Sequence, residues 1–99
     1  MQTARVIGTV VASRKEPVLD GLKLLLLQLT EPSGERKQSF VVAADAVGAG
    51  LGDLVLFATG SSARQTTVTK DRPVDATVMA IVDLIEEQRE LVYRKDEDV

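Results

Sequence analysis

The chain has 99 residues, 44% of them apolar, only Phe40, Phe57 and Tyr93 aromatic, and a formal net charge of −3. It contains no Cys and no His, which excludes disulfides, thiolate and imidazole catalysis and ordinary zinc sites. The acidic balance argues against a nucleic-acid partner, whose phosphates are held by Lys and Arg, and no apolar run is long enough to cross a bilayer. A single domain, 1–99, is expected, soluble and cytoplasmic, of a size that gains much from oligomerisation.

Residues 4–13, ARVIGTVVAS, predict a first strand, with Gly8 marking a bulge or bend. Residues 14–21 read as a connection through Pro17 and Asp20-Gly21. A second, very apolar strand is predicted over 22–30, a hairpin turn at Glu31-Pro32-Ser33-Gly34, and a third strand over 38–43. A glycine turn follows, then a fourth strand over 54–59, with Ser61 capping a short helical turn through Arg64. Beyond Pro73 the signals conflict. Val78, Ile81, Val82 and Ile85 have helical spacing, whereas Val78-Met79 and Ile81-Val82 suit a strand buried on both sides. They are read as a short helix over 74–80, a strand from Ile81 and a last strand over 91–94, before a flexible acidic tail at 95–99.

The second strand carries a physical argument about assembly. Leu22, Leu24 and Leu26 alternate with Leu25, Leu27 and Leu29, so both faces are apolar. The fourth strand repeats this with Leu54 and Leu56 against Val55 and Phe57. A small barrel buries one face of each strand, and a neighbouring copy is the economical cover for the other. Burying a leucine contributes roughly 1.5–3 kcal/mol, so two or three per face suffice for permanent association.

The glycines at 48, 50 and 52 invite a nucleotide reading that their context refuses. A phosphate loop opens a helix and continues into Lys-Ser/Thr, whereas Gly52 is followed by Asp53 and a strand. Asp45, Asp53 and Asp75 sit beside turns, where carboxylates commonly hold backbone amides. Ser61-Ser62 lacks a G-x-S-x-G setting and a histidine base. No catalytic, cofactor-binding or metal-binding residue is therefore expected.

Several blocks together are specific. The chain resembles the EutN/CcmL family of bacterial microcompartment vertex proteins. The resemblance runs from Met1–Val10 (MQTARVIGTV) through Lys15, Leu19 and Gly21–Leu25 to Asp45–Val55 (DAVGAGLGDLV). It continues in Gly60–Arg64 (GSSAR), Pro73–Ala76 and Ile81–Asp83, while residues 65–71 and those beyond 93 follow no fixed pattern. It implies a mainly β, OB-like five-stranded barrel with a short helix and a C-terminal strand or tail. It also implies a cyclic homopentamer capping the vertices of a shell of hexameric or pseudohexameric tiles. By the same resemblance Gly48, Ala49, Gly50, Ser61, Ser62 and Arg64 lie at subunit contacts or the five-fold axis. Two rivals fit less well. An OB-type module for single-stranded nucleic acid needs a basic groove with stacking aromatics. A co-chaperonin-like ring needs a long mobile loop, and the loops at 14–21 and 65–72 are short and polar.

Overall fold

The computed structural model describes residues 1–97. Five strands close a barrel: β1 (Gln2–Val10), β2 (Leu24–Thr30), β3 (Arg36–Asp45), β4 (Leu54–Thr59) and β5 (Ala76–Ile81), in the order β1-β2-β3-β5-β4. β1 pairs antiparallel with both β2 and β4, while β5 runs parallel to β3 and antiparallel to β4. The result is the OB-like barrel expected. Its core is the mainly aliphatic set anticipated from composition, Val6 from β1, Leu25 and Leu27 from β2, Ala43 from β3, Val55 from β4 and Val78 from β5, together with the aromatic Phe57 of β4.

The register slips between Val6 and Gly8 against β2, which is the bulge foreseen at Gly8. The hairpin turn at 31–34 is closed by Gly34 N–H donating to Glu31 O, with Gly34 at φ 90°. β1 begins and ends earlier than predicted. Gln2 and Thr3 are recruited by pairing with Phe57 and Leu56, a long-range partner that local propensity does not reveal.

The helix predicted over 74–80 is not formed; β5 occupies that stretch. Ala76, Thr77 and Val78 are all buried, so the side chains on both faces are covered and the buried-strand reading was the correct one. Among the described residues there is no α-helix, only 3-10 segments at Pro17–Leu19, Gly60–Arg64 and Lys95–Glu97. At the second of these the capping position is Thr59 rather than Ser61, and no side chain caps it.

Past the barrel, β6 (Leu84–Glu87) and β7 (Glu90–Arg94) form a two-stranded hairpin. Gln88 and Arg89 both have positive φ (51° and 70°), the geometry of a type I′ turn. The hairpin lies on the outer face of β4, where Tyr93 and Val82 pack with Leu54, joined by Leu56 and Ile85. Of the expected tail, Lys95–Glu97 forms a turn tied to Asp83 O through the Lys95 amide, at 2.8 Å. Asp98 and Val99 lie outside the described residues.

Candidate assembly interface

The loop between β3 and β4 is organised by two carboxylates. Asp45 Oδ1 accepts the amides of Val47, Gly48 and Ala49 at 3.1, 3.1 and 3.3 Å. Asp53 Oδ2 accepts the Gly50 amide at 2.8 Å. Gly52 N–H donates to Val6 O and Val6 N–H to Asp53 O, both at 2.9 Å, so the loop ends by joining the edge of β1. These aspartates therefore do structural work on backbone amides, and Lys23 Nζ lies 4.0 Å from Asp45 Oδ2. Among the described residues no group of three or more acidic side chains is arranged to hold a metal ion.

The three glycines have different reasons to be there. Gly48 and Gly52 sit at φ 78° and 89°, which side chains rarely adopt. Gly50 does not share that conformation, and a Cβ added to it would meet only Asp53 Oδ2, at an ordinary 3.8 Å. Nothing within its own chain demands glycine at 50. Ala49, by contrast, is spent on the barrel core, while its carbonyl accepts from Lys23 Nζ at 3.4 Å.

At the other end of β4, Gly60–Arg64 is fixed from beneath. Thr69 Oγ1 and Thr77 Oγ1, both fully buried, each donate to Ala63 O at 2.7 Å. Arg64 Nη1 donates to Val74 O at 3.1 Å, which pins the side chain against the strand entering β5. Ser61 and Ser62 remain exposed. Sequence reasoning missed Thr69 and Thr77. Thr69 lies in a run of β-branched residues at 66–69 that resembles a polar loop, and Thr77 in a stretch read as helix.

The candidate residues thus form two groups rather than one: Gly48, Ala49 and Gly50 before β4, and Ser61, Ser62 and Arg64 after it. The six-residue strand between them sets the groups roughly 17 Å apart.

The outer faces of the two predicted double-sided strands fare differently. That of β4 is covered within the chain by the β6–β7 hairpin. That of β2 continues across to β3, where Leu26 pairs with Val42 and Gln28 with Phe40. Phe40 and Val42 are 55% and 45% exposed there, a strip that nothing among the described residues covers. Contiguous exposed apolar surface of this kind marks an interaction face.

A closed barrel whose loop carboxylates hold backbone amides, with an exposed apolar strip on its β2–β3 flank, offers a surface for association. The EutN_CcmL family model, described as ethanolamine utilisation protein EutN/carboxysome, matches residues 1–83. The chain belongs to this EutN/CcmL family. It is 50% identical over 98 residues to the carboxysome shell vertex protein CcmL of Gloeobacter violaceus, covering 98% of each chain. A solved structure of Gloeobacter violaceus CcmL superposes with a TM-score of 0.92 at 49% identity, covering 97% of this chain and 99% of that one. The GrpN pentameric microcompartment shell protein from Rhodospirillum rubrum superposes at 0.80 with 40% identity, covering 88% and 99%.

Proposed function

We propose that this chain is a structural shell protein that assembles as a cyclic pentamer and caps the vertices of a bacterial microcompartment in the cytoplasm, without catalysis of its own. The observation that carries the proposal is likeness over nearly the full length, at about half identity, to a protein named as a shell vertex protein. The uncovered β2–β3 strip agrees with it. A five-membered ring is a heterologous assembly, in which each subunit offers one surface and receives another. Hexagonal tiles alone make flat sheets, and five-fold units supply the curvature that closes them; hexameric or pseudohexameric tiles are the partners this role requires.

Within the ring, Gly48 to Gly50 and the Ser61, Ser62 and Arg64 segment are proposed as contacts at or near the five-fold axis. Gly50 supports this most directly, since neither its backbone nor its own-chain surroundings call for glycine. Ala49 takes part through its backbone only, its side chain being enclosed in the barrel. Because the two groups sit at opposite ends of β4, they would meet neighbours at two levels of the ring.

Co-expression with hexameric tile proteins tests the role by electron microscopy. Closed polyhedra should form with this chain present, and sheets, tubes or unclosed bodies without it. Equally closed shells in its absence would contradict the proposal.

A further inference from the structure

β3 is longer than either strand that flanks it. β2 pairs with it from Arg36 to Ala44, but β5 meets it only at Ala44 and Asp45. Among the described residues, no strand pairs with the other edge of β3 before Ala44. One hydrogen bond sets the phase of that edge. The Asp45 amide donates to Lys23 O at 2.9 Å, so over the unbroken register from Phe40 to Ala44 the odd residues address β2. The amides and carbonyls of Phe40 and Val42 therefore point into the open edge. From Gln38 to Val42 this edge carries no proline and no charge, the usual devices that block strand addition.

A second open edge lies on β6, which pairs only with β7. The Lys95 amide donates to Asp83 O on the β7 side, and the two-residue turn makes Glu87 and Glu90 a hydrogen-bonded pair. Leu84 and Glu86 therefore direct their amides and carbonyls outward. Leu84 is 47% exposed. With the two edges antiparallel and Leu84 opposite Phe40, they match in phase and in chemistry. Phe40 and Leu84 form an apolar cross-strand pair, while Glu86 and Glu87 come beside Arg36 and Lys37. The own-chain pairing of Lys37 with Glu31, at 3.8 Å and exposed, is readily exchanged. A shift of two residues places Phe40 opposite either Glu86 or Val82, whose amide is spent on Leu54 O. Parallel pairing would send the glutamates to the apolar end of β3. Being different surfaces, the two edges suit a head-to-tail contact between copies.

We propose that β6 of one copy adds to the open edge of β3 of the next, joining neighbouring barrels through a continuous sheet. The inference rests on the pentameric reading and names the strands that join its subunits. The chain has no cysteine, so engineered thiols report without background. Facing residues of a hydrogen-bonded antiparallel pair stand about 5.5 Å apart at Cα, within disulfide range. Phe40→Cys and Leu84→Cys chains, co-expressed and mildly oxidised, should give covalent dimers and nothing larger on non-reducing gels, and either variant alone none. Native mass spectrometry before oxidation keeps the two readings apart. Rings of five that yield no mixed dimer, or dimers from one variant alone, overturn strand addition only. A stable monomer of the unsubstituted chain overturns the pentameric reading and this one with it. Should a cysteine chain fail to assemble, the exposed charges decide. Lys37→Glu and Glu87→Lys should each weaken assembly about tenfold, and the two combined in one chain should restore it. Absence of that rescue would overturn the pairing.

Discussion

Replacing Asp45 with Ala removes the acceptor of three successive amides in the loop that precedes β4. Val47 and Gly48 are exposed, so water can take over their N–H groups, but Ala49 is enclosed in the core and its amide would be orphaned. A charge-assisted hydrogen bond contributes about 1.5–3 kcal/mol, and an unsatisfied buried donor costs about 1–3 kcal/mol. With water compensating the two outer amides, the expected loss is about 3 kcal/mol. The pairing with Lys23 at 4.0 Å adds little, because the lysine is more than half exposed. Asp45→Asn keeps an oxygen in place and should lose only about 1 kcal/mol. Urea unfolding at one fixed protein concentration measures both, since association raises apparent stability by mass action. A loss below about 0.5 kcal/mol for the Ala variant, within the range of a neutral surface change, would refute the reasoning. So would an Asn variant as damaging as Ala.

Further expectations separate folding from assembly. Gly52→Ala should cost about 1 kcal/mol, because its φ of 89° is strained for any side chain although space is open around it. Gly50→Val should leave the barrel folded by circular dichroism yet break the oligomer in size-exclusion chromatography; an unaltered oligomer would remove Gly50 from the contacts. Phe40→Glu, on the uncovered strip, should change subunit unfolding by no more than about 0.5 kcal/mol but abolish association; retained association would show that this face meets no neighbour. Tyr93→Ala should destabilise by about 3 kcal/mol and speed hydrogen exchange at 84–94, because the ring joins Leu54, Val82 and Arg5. Unchanged exchange there would mean that the hairpin is held elsewhere.

What the sequence disclosed depended on whether the deciding contacts were local. β4 was read with its observed limits because Asp53 and Gly60 bound an unbroken apolar run, and Gly60 takes a positive φ as a turn residue should. β5 was misread because Val78, Ile81, Val82 and Ile85 satisfy a helical period by coincidence. What makes it a strand is pairing with β3 and β4, 17 to 33 positions away and invisible to a local window. The strand expected from Ile81 forms as β6 but begins only at Leu84, and its hairpin with β7 was not foreseen because Glu86 and Glu87 are polar and the turn, Gln88-Arg89, holds no glycine. The two-faced apolar pattern of β2 and β4 was legible, but not which face the chain would cover itself. That depended on the hairpin folding back onto Leu54. Of the candidate contacts, the loop chemistry of Asp45 and Asp53 could be read directly. The anchoring of Ala63 by Thr69 and Thr77 could not, since two hydroxyls converge on one carbonyl only after the barrel has closed.

The central claim is that these surfaces close a ring of five. Native mass spectrometry of the purified protein at micromolar concentration addresses it most directly. A dominant species of five chains is expected; a stable monomer, or a ring of another number, would contradict the pentameric assignment.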